Sequence, residues 1–186
     1  MVVRLIYETH STTVDNESGF ATGWLPGRLS PTGREQARQL GERRRDDGVG
    51  HVWVSDLARA VETATIAFAG SPNPVTRDAR LRECNDGDLN GAPVEALRPR
   101  TAYLVSAFPS GQSYRDVVVQ MQAFLTDLAS QHDRARVLVI GHSATRWALE
   151  ALLHGASMGD LVEAPFAWKP GWEFVVPTDV DRSVVG

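Results

Sequence analysis

Two kinds of hydrophobic pattern alternate along the chain. Short, almost uninterrupted apolar runs predict buried strands, and they cover residues 2–7, 51–54, 137–140 and 172–176, with a minor strand near Val75. Segments in which apolar residues recur every three or four positions predict helices, and they cover 30–45, 57–68, 113–131 and 143–153. Because strands alternate with helices, we predict an α/β fold: a three-layer sandwich in which helices cover both faces of a mainly parallel central sheet.

The remaining segments predict loops rather than further elements. The stretch between Thr13 and Ser30 and the stretch 81–91 are rich in glycine and polar residues and have no helical period. We find no internal repeat, low-complexity tract or linker. The length therefore predicts a single domain over 1–178, followed by a flexible tail at 179–186.

Composition and charge narrow the class of protein. A hydrophobic content of 42% and a charged content of 23% are ordinary for a globular protein. The net charge of -4 gives no general attraction to nucleic acid or to an anionic membrane. The single cysteine, Cys84, excludes an internal disulfide and a multi-cysteine metal site. With no apolar segment long enough to span a bilayer and no signal peptide, we expect a cytoplasmic protein.

Two histidines follow predicted strands in the same way. His10 and His142 each come after an apolar run, and each is followed by a serine, Ser11 or Ser143. The carboxyl ends of parallel strands share the edge of the sheet where open α/β folds bind ligands. A neutral imidazole there is a nucleophile, and a second imidazole can balance charge on a phosphoryl group. From the residues alone, a pair of structural histidines near turns is an equally good interpretation.

Five collinear blocks strengthen the interpretation as a catalytic site. They are Thr9-His10-Ser11 with Thr13, Asn16, Gly23-Trp24 and Leu29 to Ala37; Ser55 to Ala64; Leu81-Arg82-Glu83 with Gly87 and Gly91; Pro109 to Ser113; and Val139 to Ser143. In order and spacing, these blocks resemble the motifs of the histidine phosphatase superfamily, the phosphoglycerate mutase-like proteins.

The resemblance implies a role for each of four residues. His10 would attack phosphorus and be phosphorylated transiently, and His142 would hydrogen-bond the transferring group and balance its charge. Arg59 would bind phosphate oxygens with its planar guanidinium. Glu83 would be the general acid for the leaving oxygen and then the base for water. As alternatives, Arg59 could be a solvated helix residue, and Glu83 could only pair with a neighbouring arginine, Arg80 or Arg82.

The resemblance also implies the surroundings of the phosphate. The substrate-binding positions are Thr9, Ser11, Asn16, the backbone of Gly23, and Ser143. Asn16 could instead be only a turn former. The substrate would be a small phosphorylated or acidic molecule, and neither a metal nor another cofactor is implied.

The sequence departs from the superfamily pattern next to the nucleophile. Thr9 stands where the family has an arginine, so a charge-assisted hydrogen bond of about 1.5–3 kcal/mol to the phosphate would be lost. Glu8 would repel phosphate if it faced the site, although strand alternation could turn it away. In milder changes, Ser11 replaces a glycine and Gly141 replaces a serine. The candidates to compensate for the missing arginine are Arg28, Arg82 and Arg146.

Three hypotheses follow from this combination. The first is a metal-independent phosphatase that hydrolyses a small phosphomonoester through a phosphohistidine intermediate, with a modified phosphate pocket. The second is a catalytically degenerate member that binds a ligand or a protein. The third is a phosphoglycerate mutase-type isomerase, for which the segment between Gly91 and Pro109 leaves little room to enclose a substrate.

Overall fold

The computed structural model describes residues 2–132 and 134–177, and the tail predicted at 179–186 lies outside these ranges. Within these ranges, five strands form one sheet: β1 (Val2–Thr9), β2 (His51–Val54), β3 (Val75–Arg77), β4 (Arg136–Gly141) and β5 (Trp172–Pro177). Their order across the sheet is β3-β2-β4-β1-β5. The first four strands are parallel and β5 pairs antiparallel with β1, which confirms the predicted, mainly parallel sheet.

In the part of the chain that the structure describes, six α-helices accompany the sheet: α1 (Val14–Ser18), α2 (Pro31–Arg44), α3 (Ala58–Ala67), α4 (Tyr114–Gln131), α5 (Ser143–His154) and α6 (Met158–Glu163). On one face, Leu40 of α2 and Ala64 of α3 pack against Ile6, Val52 and Leu138 of the strands. On the other face, α4 and α5 cover the opposite side chains of the same strands. The alternating directions of strand side chains thus produce the predicted three layers. None of the described helices is long and apolar enough to cross a membrane.

Hydrogen-bonding residues mark where the long helices begin. Ser30 accepts a hydrogen bond from the Gly33 N–H at 3.1 Å, and Pro31 takes the first helical position of α2. Ser113 forms a capping box with Asp116 at the start of α4. The predicted helices at 30–45 and 113–131 therefore agree with the observed ones to within a residue at each end.

The predicted loop between Thr13 and Ser30 was wrong in part, because α1 lies within it. This five-residue helix buries none of its residues, so it has no apolar period to detect. It is fixed by a capping box, in which Thr13 and Asn16 bond each other's backbone N–H groups at 3.0 Å. Similarly, short 3₁₀ turns at Ala79–Leu81 and Gly87–Leu89 interrupt the loop predicted over 81–91.

The pairing of β1 with β4 brings the two predicted histidines to one edge of the sheet. Thr9 lies opposite Gly141 in the last register position, and the His10 N–H donates to the Gly141 carbonyl at 2.9 Å. His10 and His142 are thus the first residues beyond two neighbouring parallel strands. They stand at the carboxyl edge, where parallel sheets bind ligands.

Candidate active site

His10 presents one unprotonated ring nitrogen toward Arg59. Its Nδ1 lies 2.8 Å from the carbonyl oxygen of Ser11, which can only accept, so Nδ1 carries the hydrogen. Arg59 Nε donates to His10 Nε2 at 3.2 Å, so Nε2 carries the lone pair. Burial, aided by the positive charge of Arg59, lowers the pKa of His10 to about 3. His10 is therefore a neutral imidazole with its nucleophilic nitrogen toward the arginine.

His142 lies beside His10, with 5.0 Å between the ring centroids, and is completely buried. Its Nδ1 accepts from Arg59 Nη2 at 3.2 Å, because an arginine can only donate. Its Nε2 therefore carries the hydrogen and donates to Ser55 Oγ at 2.8 Å. Burial, with the charge of Arg59 adding to it, holds the pKa of His142 well below its usual range.

The backbone of His142 is held by Tyr7, a residue of β1. The Tyr7 hydroxyl donates to the His142 carbonyl at 2.7 Å, and Thr145 Oγ1 accepts from the His142 N–H at 3.1 Å. A Cβ on Gly141 would overlap the Tyr7 hydroxyl, and it would lie 3.0 Å from Thr145 Oγ1. The Tyr7 hydroxyl therefore fills the space that a serine side chain at position 141 would need.

Arg59 connects the two histidines and keeps a donor free. It lies in the first turn of α3, and only 2% of the residue is exposed, so the interpretation as a solvated helix residue is wrong. Nη2 also donates to the Gly23 carbonyl at 2.9 Å. Nη1 is buried and has no hydrogen-bond partner among the described residues. Since an unpaired buried donor is unfavourable, Nη1 is suited to receive an oxygen of a bound anion.

Glu83 accepts hydrogen bonds with both carboxylate oxygens. Oε1 accepts from the N–H groups of Cys84 at 2.9 Å and Ala144 at 3.1 Å, and Oε2 accepts from the N–H of Ser143 at 3.2 Å. Ser143 and Ala144 begin α5, whose N-terminus favours a negative charge. Pairing with a neighbouring arginine is not what holds Glu83, since Arg80 pairs with Asp78 and Asp127, and Arg82 with Asp56.

The predicted substrate-binding residues lie around His10. Thr9 ends β1 and Ser11 lies just beyond it; both are buried, and the Ser11 N–H donates to Thr63 Oγ1 at 3.1 Å. Asn16 is a capping residue through Oδ1, as the alternative interpretation proposed, but its side chain also lines the cavities beside His10. Gly23 has a φ of 52°, and a Cβ there would overlap Asn90 Oδ1, so this position needs glycine.

Two cavities meet at His10. The Thr9 cavity, about 360 Å³, is lined by Glu8, Thr9, His10, Arg43, Phe166 and Trp168 among others. The Arg59 cavity, about 250 Å³, is lined by His10, Arg59, Glu83, Asp86, Arg98 and Arg100 among others. Ser143 and Asn16 line both cavities. All nine predicted site residues except His142 therefore line one of these spaces, and His142 lies behind Arg59.

Sequence reasoning missed several residues that line these cavities. Asp86, Arg98 and Arg100 lie in the Arg59 cavity, and Phe166 and Trp168 come from the segment between α6 and β5. The one available signal was the position of Asp86, three residues after Glu83 and directly before Gly87 in a predicted motif. The other residues lie on segments without any periodic pattern.

Comparison with known proteins identifies the family of the chain. The family model of the histidine phosphatase superfamily (branch 1) matches residues 9–167. The chain belongs to the histidine phosphatase superfamily. A probable phosphoglycerate mutase GpmB from Enterobacter sp. (strain 638) is 30% identical over 155 residues, which are 78% of this chain and 72% of that protein.

Solved structures resemble the chain over most of its length. YhfR from Bacillus stearothermophilus superposes with a TM-score of 0.79 at 24% identity, covering 90% of this chain and 88% of that one. A mycobacterial glucosyl-3-phosphoglycerate phosphatase in complex with VO3 gives a TM-score of 0.73 at 27% identity, covering 86% and 85%.

In this histidine phosphatase superfamily member, Glu8 does not present a free charge to the site. Its Oε1 accepts from Arg44 Nη2 at 2.6 Å and Arg44 Nε at 3.1 Å, and Arg43 Nη2 lies 3.5 Å away. Although Glu8 lines the Thr9 cavity, the end of α2 neutralises its charge. The repulsion of phosphate that its sequence position suggested is therefore absent.

The arginines named as substitutes for the missing motif arginine are not in the site. Arg82 is paired with Asp56 at 2.6 Å. Neither Arg28 nor Arg146 lines either cavity, and Arg146 lies over the ring of Trp172, at 5.0 Å from its centroid. The arginines that do line the cavities, besides Arg59, are Arg43, Arg98 and Arg100.

Proposed function

We propose that this protein is a metal-independent phosphatase that hydrolyses a small phosphomonoester through a phosphohistidine intermediate. One observation carries the proposal: His10, with its lone pair on Nε2, and Arg59, with Nη1 unpaired among the described residues, line the same cavity beside the buried His142. A nucleophile adjacent to a free anion-binding donor is what phosphoryl transfer requires.

The reaction proceeds in two steps. A phosphate group that enters between His10 and Arg59 takes over the arginine's N–H donors, which frees the His10 Nε2 lone pair. Nε2 forms a bond to phosphorus as the ester P–O bond breaks, and the leaving oxygen takes a proton from a carboxyl group of the cavity. Water then attacks phosphorus of the phosphohistidine and gives a proton to the carboxylate, which restores the acid, while the P–N bond breaks and phosphate leaves.

Arg59 and His142 stabilise the charge that spreads over the phosphoryl oxygens. Arg59 binds them with Nη1 and with the donors that now contact the two imidazoles. His142 can donate from Nδ1 once the negative phosphate favours its protonation, because Nε2–H is already directed to Ser55. The orientation of both groups is set before substrate arrives, which is the arrangement that lowers the barrier most.

The relatives support two candidate activities. The solved mycobacterial relative at 27% identity is a phosphatase, and the Enterobacter relative at 30% identity is named a probable phosphoglycerate mutase. The second candidate is therefore a mutase, in which the phosphohistidine returns its phosphoryl group to the substrate. Incubation with a phosphoglycerate separates the two, because hydrolysis releases inorganic phosphate and a mutase produces the isomeric ester.

A phosphatase assay with and without a chelator tests the proposal. We expect the wild type to hydrolyse members of a phosphomonoester panel at chelator-independent rates, and His10→Ala to lose about 10,000-fold or more in kcat. His154→Ala is the matched control, because His154 is exposed and lies outside both cavities. Negligible rates of wild type across the panel would favour the degenerate, ligand-binding alternative instead.

A further inference from the structure

The Thr9 cavity is separate from the acids that the proposed reaction needs. Glu83 and Asp86, the carboxyl groups that can protonate a leaving oxygen, both line the Arg59 cavity. Among the described residues that line the Thr9 cavity, the only carboxyl group is that of Glu8, which is ion-paired at 2.6 Å with an arginine of α2. A leaving group therefore belongs in the Arg59 cavity, where its oxygen gains a proton.

The Thr9 cavity nevertheless adjoins the nucleophile. Thr9 directly precedes His10 in the chain, so their Cα atoms are about 3.8 Å apart. Five residues line both cavities: His10, Asn16, Val94, Ser143 and Phe166. The two spaces are therefore continuous around the reacting histidine, and a phosphorus atom bonded to that histidine is next to both.

The lining of the Thr9 cavity suits a neutral, flat group. Its two charged side chains, Glu8 and Arg43, have opposite signs and lie 3.5 Å apart, so they offer no net charge to a ligand. Phe166 and Trp168 are more than half exposed, so their rings have free surface on which an apolar or aromatic group can pack. The volume of about 360 Å³ is that of a small ligand pocket.

We propose that the protein also hydrolyses phosphodiesters, in which one ester group leaves through the Arg59 cavity and the other stays on phosphorus and occupies the Thr9 cavity. The group that stays is flat and apolar, of the aryl class. A phosphomonoester has one organic group and fills one cavity, whereas a diester fills both. This second activity rests on the proposed function, because it uses the same nucleophile and the same acid.

The charges at the histidines also fit a diester. At neutral pH a phosphodiester carries one negative charge, whereas a phosphomonoester carries about 1.5 to 2. Among the described residues, Arg59 is the only cation that hydrogen-bonds to His10 or His142. One guanidinium balances the charge of a diester, and its planar donors match the two non-ester oxygens.

The atoms and protons balance over two steps. In the first, His10 Nε2 bonds to phosphorus, the P–O bond to the leaving alcohol breaks, and that oxygen takes a proton from a carboxyl group of the Arg59 cavity. The intermediate is a phosphohistidine that keeps the second ester group. In the second, water attacks phosphorus, its proton goes to the carboxylate, and the P–N bond breaks. The products are an alcohol and a phosphomonoester.

The test uses two substrates with the same leaving group, p-nitrophenyl phosphate and p-nitrophenyl phenyl phosphate. We expect a kcat/KM for the diester about tenfold or more above that for the monoester, with phenyl phosphate as the second product in chromatography. His10→Ala should lose both activities. A wild type that hydrolyses the monoester and prefers it to the diester would overturn this proposal and leave the proposed function intact. A wild type that hydrolyses neither would overturn both.

Two variants test where the phenyl group binds. Trp168→Ala removes an exposed wall of the Thr9 cavity, and Thr9→Met fills part of its space. Each should lower kcat/KM for the diester about fivefold or more and change that for the monoester less than about twofold. If Thr9→Met does not fold, Trp168→Ala decides alone.

Thr126→Met is the matched control, because Thr126 is an exposed threonine of α4 that lines neither cavity. It should leave both values of kcat/KM unchanged. Diester hydrolysis that neither cavity variant lowers selectively would overturn the assignment of the Thr9 cavity to the second ester group.

Discussion

The ends of β1 and β4 share one sequence pattern, an apolar strand followed by a histidine and a serine, but their surroundings differ. After β4, His142 is fully buried, both of its ring nitrogens are hydrogen-bonded, and its backbone is held by Tyr7 and Thr145. After β1, His10 opens onto two cavities. The end of β4 is closed and holds its ring in a fixed geometry, whereas the end of β1 is open, and under the proposed function it is the end that meets the substrate.

The two histidines also differ in which ring nitrogen accepts a hydrogen bond from Arg59. Arg59 donates to Nε2 of His10 and to Nδ1 of His142, so the two rings present opposite nitrogens to one guanidinium. The carbonyl of Ser11 fixes the tautomer of His10, and the hydroxyl of Ser55 receives the N–H of His142. The backbone carbonyl after His10 and the side-chain hydroxyl of Ser55 thus fix which nitrogen of each ring carries the hydrogen.

Replacing each histidine in turn is the strongest test of the proposed difference between His10 and His142. His10→Ala should abolish the phosphoenzyme. His142→Ala should still form it and lose about 100- to 1000-fold in kcat, because it removes charge stabilisation rather than the nucleophile. Rapid quench with a radiolabelled phosphoester, followed by a test for an acid-labile phosphoenzyme, measures this difference. If His142→Ala also forms no phosphoenzyme while remaining folded, then the proposed roles of His10 as nucleophile and His142 as charge stabiliser are wrong.

Much of this contrast was predictable from strand patterns. The apolar runs at 2–7 and 137–140 locate β1 and β4, and parallel pairing then places the residue after each strand at one edge. Family motifs added Arg59 and Glu83, which both line the cavity with His10. The chemical roles of these residues stay predictions until activity is measured.

What could not be predicted depends on contacts between distant segments. The sequence at Glu8 suggests repulsion of phosphate, because nothing near it in the chain indicates that Arg44 at the end of α2 will pair with it. Asp86 belongs to a turn without periodicity, so its burial beside Gly23 follows only from the path of the chain. The same holds for Tyr7, whose position in β1 gives no sign that its hydroxyl reaches His142.

Tyr7→Phe tests whether the position of His142 after β4 depends on the Tyr7 hydroxyl. Loss of the bond to the His142 carbonyl should lower the free energy of unfolding by about 1–3 kcal/mol and kcat by roughly tenfold, with KM little changed. Chemical denaturation and steady-state kinetics measure the two effects. An unchanged kcat in a destabilised variant would show that Tyr7 contributes to folding alone.

Gly141→Ser serves as the partner variant in a double-mutant cycle. By itself it should be strongly destabilising, because its side chain overlaps the Tyr7 hydroxyl. In the Tyr7→Phe background the clash is partly relieved and a hydroxyl is restored nearby, so the cost should be smaller. Additive costs would mean that residues 7 and 141 are not coupled through this contact.

Thr9→Arg tests the open end of β1 and should change kcat/KM less than the substitutions above. Thr9 lines a cavity of about 360 Å³ beside His10, which has space for a guanidinium. Because the adjacent Glu8 is already paired with Arg44, the new arginine is free to bind phosphate. One added charge-assisted hydrogen bond would raise kcat/KM for a generic aryl phosphate by about tenfold. Thr9→Met fills the same space without charge and should give no increase. If Thr9→Arg lowers turnover while the protein stays folded, Thr9 is not simply a lost phosphate contact, and the open end has been rebuilt for a substrate that the usual arginine would exclude.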